Sequence, residues 1–95
     1  MVRDSLFYAA NFEPEVVRMF KAYDASQKDV AEKFKERALA ITDEILTKKE
    51  FSSAGREEWF SVRNLLLGYD QLDAYARQVL LTFGRPFSYK FANTR

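Results

Sequence analysis

The chain has 95 residues, 47% of them hydrophobic and 16% aromatic, which suits one domain with a shared core and argues against disorder. Its 15 basic and 14 acidic residues leave a formal charge of +1, so no global pull toward nucleic acid or anionic membrane operates. It contains no Cys and no His, which removes disulfide frameworks, thiolate and imidazole metal sites, cysteine nucleophiles and every His-based catalytic triad.

The opening stretch carries Asp4 and Glu13 and lacks a long apolar run, so it does not read as a secretory signal, and no segment approaches the ~18 apolar residues of a membrane span. A cytoplasmic protein with no membrane association is the expectation. Residues 1–12 read as irregular chain or a short helix capped by Asp4 or Ser5. Asn11 followed by Phe12, Glu13 and Pro14 predicts a helix start, because Asn can accept from free backbone N–H groups and Pro is tolerated in a first turn. Val16, Val17, Met19, Phe20 and Tyr23 then follow at helical spacing.

Ser26 with Asp29 predicts a cap for the clearest helix in the chain. Val30, Phe34, Ala38, Ile41 and Ile45 recur every three or four residues, with Leu39 and Leu46 widening the stripe over about six turns. Asp29 with Lys33, and Glu44 with Lys48, are spaced as favourable pairs on its solvated side.

A loop at 48–55 leads to a helix capped by Ser52 or Ser53, with Glu57 and Glu58 in the first turn. Its apolar stripe is Trp59, Val62, Leu65, Leu66 and Tyr69, continued by Leu72, Ala76, Val79, Leu80 and Phe83. Gly68 admits two readings. Either it ends one helix in a left-handed conformation, with Asp70 capping the next, or one helix runs through it to ~42 Å, long enough to favour a dimer. The break is favoured. Gly84 then ends the last helix and Pro86 stops its resumption.

Adjacent carboxylates (Asp43 and Glu44, Glu57 and Glu58) point in different directions on a helix, and three scattered glycines make no phosphate loop. Trp59, Phe7, Phe12, Phe20 and Phe34 are expected in the core. The end of the chain differs: from Ala74 onward there is no acidic residue, and Phe87, Tyr89 and Phe91 alternate in "GRPFSYKFANTR".

The expected fold is all-α. It is a small up-and-down bundle of three to four helices over 13–83, within a single domain of 1–95, with an extended aromatic C-terminal tail at 84–95. The expected function is a non-enzymatic protein-binding module, a small regulator, inhibitor or accessory subunit of a larger protein, with no cofactor and no metal. The candidate partner-binding residues are Arg77, Arg85, Phe87, Tyr89, Lys90 and Phe91, since aromatic and Arg side chains are enriched at interfaces. Nucleic-acid binding through the same basic, aromatic segment is one alternative, and a self-associating assembly protein is another.

Overall fold

The computed structural model describes residues 5–47 and 52–86. Among these the regular structure is entirely helical, as the spacing predicts: α1 (Ser5–Ala10), α2 (Phe12–Asp24), α3 (Lys28–Leu46), α4 (Ser53–Leu67), a 3₁₀ turn (Tyr69–Gln71) and α5 (Ala74–Phe83). Phe87, Tyr89, Lys90 and Phe91 lie outside the described residues.

Asn11 does not cap α2. Its backbone is itself helical (φ −86°, ψ −5°), and its side-chain Nδ2 donates to the Phe7 carbonyl at 2.7 Å. Its backbone N–H points to the carbonyls of Phe7 and Tyr8. Helix ends leave orphan carbonyls as well as orphan N–H groups, and an Asn amide can serve either. Here it closes α1, so the chain turns into α2 within one residue.

Ser26 corrects a second expected cap. It does not begin α3, whose flanking residue Gln27 makes no side-chain cap bond; it ends α2. The Gln27 N–H donates to the Ala22 carbonyl at 2.9 Å and the Ser26 N–H to that of Tyr23 at 3.0 Å. That pair of bonds is a Schellman closure, which requires a left-handed residue where Ser26 stands, and Ser26 has φ 61°. A position built for glycine is held by a residue with a Cβ.

The long α3 forms as expected, but its buried face is turned by about one residue. Ala31, Ala38, Leu39, Thr42 and Ile45 are buried, Phe34 and Ile41 are half-buried, and Val30 is exposed. Thr42 enters the core because its hydroxyl donates to the Leu39 carbonyl at 2.7 Å, leaving a methyl to face the apolar side. Asp29 and Lys33 do not pair; Lys35 instead reaches Glu32 at 2.8 Å.

Ser52 caps α4 as expected, accepting from the Gly55 N–H at 3.1 Å. The helix starts at Ser53, so Glu57 and Glu58 fall in its second turn rather than its first. It ends at Gly68, so the chain breaks there instead of continuing as one rod. The geometry of the break is not the one expected: Gly68 has φ −113°, and Asp73 rather than Asp70 caps the next helix, accepting from the Ala76 N–H at 2.8 Å.

The α2–α3 pair makes the most extensive helix contact, α4 packs on α3, and α5 packs on α2 and α4. α5 runs antiparallel to α2, since Arg77 meets Asp24 at the end of α2 while Gly84 meets Phe12 and Glu13 at its start. Three aromatic rings knit these layers. Trp59 of α4, 1% exposed, stands edge-on to Phe12 of α2 (centroids 5.3 Å) and to Phe83 of α5 (4.8 Å), and Phe12 and Phe83 meet at 6.3 Å. Edge-to-face pairs at such distances add about 0.5–1.5 kcal/mol each beyond burial.

Gly84 sits against this cluster with ordinary backbone angles (φ −82°, ψ −9°). Its need is for space. A Cβ there would lie 3.1 Å from the Glu13 backbone nitrogen and 3.2 Å from Phe12 Cδ2. α5 ends at Phe83, before Gly84, as expected; Arg85 and Pro86 have helical backbone, and the effect of Pro86 on the chain that follows lies outside the described residues.

Two glycine exchanges test these assignments by urea unfolding. Ser26→Gly is expected to stabilise the fold by ~0.5–1 kcal/mol through relief of left-handed strain, partly offset by the freer unfolded chain. Gly84→Ala is expected to lose about 1–3 kcal/mol, because the added Cβ would press on backbone of α2 rather than on a flexible side chain. An unchanged midpoint for Gly84→Ala would mean that the approach of α5 to α2 is not tight.

Candidate functional site

Of the six partner-binding residues expected from the sequence, the structure describes Arg77 and Arg85. Both form ion pairs within the fold. Arg77, one turn into α5, donates Nη1 and Nη2 to the two carboxylate oxygens of Asp24, each at 2.9 Å. The same guanidinium lies 4.4 Å from the centroid of the Phe20 ring. Planar two-point pairing and stacking are what an Arg, but not a Lys, can do together. Arg85 donates Nε to Glu13 Oε2 at 3.1 Å and is otherwise well exposed. The two arginines therefore tie both ends of α5 to both ends of α2.

Between α4 and α5 the structure leaves an open apolar groove of about 290 Å³, lined by Val62, Leu65, Val79 and Phe83, with Glu58 and Ser61 along the α4 side. The spacing explains it. Glu58, Ser61, Val62 and Leu65 follow the 3–4 rhythm of one α4 face, and Val79 and Phe83 are one turn apart on α5. Trp59, Val62 and Leu66 are drawn into the core, and the groove is the shoulder of that same face. The sequence stripe marks these residues as core without distinguishing its floor from its edge.

A second groove, of about 270 Å³, lies on the outer side of the α2–α3 pair. Its floor is Ala22, Ala25, Val30 and Phe34, and Arg18 and Lys21 stand at its α2 wall. Sequence reading places Val30 and Phe34 in the core; a net charge near zero gives no sign of a basic wall there. The lysines and arginines of α2 and α3 have to be brought side by side by the turn at 25–27 before that wall exists.

The remaining unusual group is Tyr69, at the 3₁₀ turn. It is buried, packs edge-on with Phe20 and Tyr23, and its hydroxyl has no hydrogen-bond partner among the described residues. Burial pushes its phenol above the ordinary value near 10, and the nearby Glu32 and Asp70 carboxylates act in the same direction. Lys35 is held above its ordinary value by its hydrogen bond to Glu32, against the opposing effect of burial. Neither group is poised near neutral pH, so neither serves as a general base at ordinary pH.

Among the described residues no helix is long and apolar enough to cross a membrane.

Both raised groups favour their protonated forms in the folded state. Their contribution is therefore complete below about pH 10 and is lost as pH rises through the folded values. Unfolding monitored by circular dichroism is expected to show falling stability from about pH 10 upward, with Tyr69 ionising above the ordinary tyrosine value by ultraviolet absorbance. In Tyr69→Phe, removal of the unpartnered buried hydroxyl is expected to leave stability unchanged or raise it by ~1 kcal/mol. A loss of more than ~1 kcal/mol would show that the hydroxyl has a partner.

A double-mutant cycle on Arg77→Ala and Asp24→Ala is expected to give a coupling of ~0.5–1 kcal/mol, as for a well-aligned but partly exposed pair. Arg77→Ala alone should cost more than Asp24→Ala, because it also removes the contact with Phe20. Equal single-mutant costs would remove that contact from the account.

No protein-family model, curated protein or solved structure matches this chain.

Proposed function

We propose that this chain is a non-enzymatic protein-binding module, a small regulator, inhibitor or accessory subunit that seats on a larger cytoplasmic protein through its C-terminal side. The observation that carries the reading is the apolar groove between α4 and α5. Four of its lining residues are apolar, it is open to solvent, and Phe83 at its end lies three residues before the described chain stops at Pro86. An aromatic segment containing Phe87, Tyr89 and Phe91 follows directly in sequence. In this proposal the helices form an up-and-down bundle, the segment from Phe87 is an extended arm, and groove and arm together make one surface for the partner. Apolar and aromatic anchors of this sort, with Arg85 and Lys90 at the rim, are the usual centre of a protein interface.

The composition supports the same side. A chain with no His and no Cys lacks the side chains that most often act as base or nucleophile. Nucleic-acid binding by the same segment has less to draw on than the sequence suggests, because Arg77 and Arg85 are each already paired with a carboxylate. Self-association as a long helical rod loses its main motive with the break at Gly68.

The test compares the full chain with a Phe87→Ala, Tyr89→Ala, Phe91→Ala variant by circular dichroism, and uses both as bait against host lysate. The expected result is a variant with unchanged helicity and a melting point within a few degrees, which no longer retains a protein that the full chain captures. An unfolded variant would make the aromatic arm part of the core and would end this assignment of the site.

A further inference from the structure

The α2–α3 groove is distinct from the C-terminal surface, and its chemistry is more specific. Its floor is mainly apolar: Ala22 from α2, Val30 and Phe34 from α3, and Ala25 beside the polar Gln27 in the turn between them. Arg18 and Lys21 rise from the α2 side. On α3, Lys33 and Arg37 share the outer face with Val30 and Phe34 by their 3–4 spacing, and both are exposed.

One carboxylate organises this wall. Glu15, whose side chain is only 16% exposed, lies 3.6 Å from Arg18 and 4.0 Å from Arg37, so a single acid holds one arginine from each helix. Arg37 is also 5.4 Å from the centroid of the Phe34 ring. Lys21 and Lys33 have no ion-pair partner among the described residues. Arg18 and Lys21 on the trough, with Lys33 and Arg37 beside it on α3, therefore make four cations against two acids, Glu15 and Asp29, on a chain whose total charge is +1. Of the acids of α3, Glu32 and Glu36 are held by Lys35 and Asp43 by Arg63 at 2.8 Å, Glu44 lies two turns beyond Arg37, and Asp29 alone is exposed beside Val30.

We infer that this groove is a docking site for an acidic amphipathic helix of a partner protein, with the partner's apolar stripe on Ala22, Ala25, Val30 and Phe34 and its carboxylates between Arg18, Lys21, Lys33 and Arg37. Charge complementarity selects the occupant. A basic segment, including this chain's own Lys90 to Arg95 end, is repelled. The trough runs from Arg18 to Ala25 on α2, about 10 Å, which matches two turns of a docked helix. Concavity favours a helix over a flat lipid surface. For stacked bases there is no free platform, since Arg37 already lies near the Phe34 ring.

The probe is a fluorescein-labelled helical peptide of about 14 residues, with Leu at 3–4 spacing on one face and Glu on its flanks. A peptide with Lys replacing every Glu is its control. Fluorescence anisotropy at low salt is expected to show binding of the acidic peptide only, weakening as salt is raised. Lys21→Glu/Lys33→Glu is expected to weaken binding at least about tenfold while keeping the circular dichroism spectrum, because both side chains are exposed and unpaired. Val30→Asp, at an exposed floor position, is expected to weaken it similarly. Equal binding of the two peptides, or an unchanged affinity in the charge-reversed variant, would overturn the proposal. So would binding of phosphatidylglycerol vesicles in preference to the acidic peptide, or sedimentation showing that a second copy of the chain fills the groove. The Phe87, Tyr89 and Phe91 variant is expected to bind the acidic peptide normally, so this site and the C-terminal one succeed or fail separately.

Discussion

The contact on which the arrangement depends is the meeting of Phe12, Trp59 and Phe83. Each comes from a different helix, and no two are neighbours in sequence. Edge-on packing brings three large rings together among α2, α4 and α5, and it fixes the depth at which α5 lies. Gly84 follows from that depth: once Phe83 is set against Phe12, the next residue touches the first turn of α2 and has room only for hydrogen. The Arg77 and Arg85 pairs then fall at the two ends of the same helix contact. They set direction and register more than they add energy, since exposed pairs contribute at most about 1 kcal/mol each.

Periodicity made the long helices, the core tryptophan and the Ser52 cap legible in advance, because each depends on residues within a turn or two. What it misplaced are features in which one residue type can do two jobs. Asn11 and Ser26 both look like helix starters, yet each finishes the preceding helix, one with its amide and one with its backbone angle. Asp70 looks like the cap of the last helix, yet the 3₁₀ turn takes it up and Asp73 caps α5 instead. The stripe of α3 is wide enough to be turned either way about its axis; contact with three neighbours, α1, α2 and α4, turned Val30 outward and Thr42 inward.

The candidate site was the least legible part, for a different reason. Arg77 and Arg85 stand out in sequence because no acid accompanies them from Ala74 onward, but their partners are 53 and 72 residues away. Local charge counts cannot see such pairs. The two grooves are likewise products of helix against helix: Val79 and Phe83 gain an edge only beside Val62 and Leu65, and the basic wall exists only where α2 and α3 turn back on each other.

The groove between α4 and α5 has a thermodynamic consequence. Two of its apolar walls belong to α5, which is held in place by contacts with the beginning of the chain. Any molecule lodged against Val62, Leu65, Val79 and Phe83 thus selects chains whose last helix is docked, and by mass action it deepens that docking. A hundredfold excess over the dissociation constant amounts to about 2.7 kcal/mol, a sizeable fraction of the stability a domain of this length ordinarily has. Occupancy and integrity of the fold are then one linked equilibrium, in which a filled groove and a closed chain report on each other.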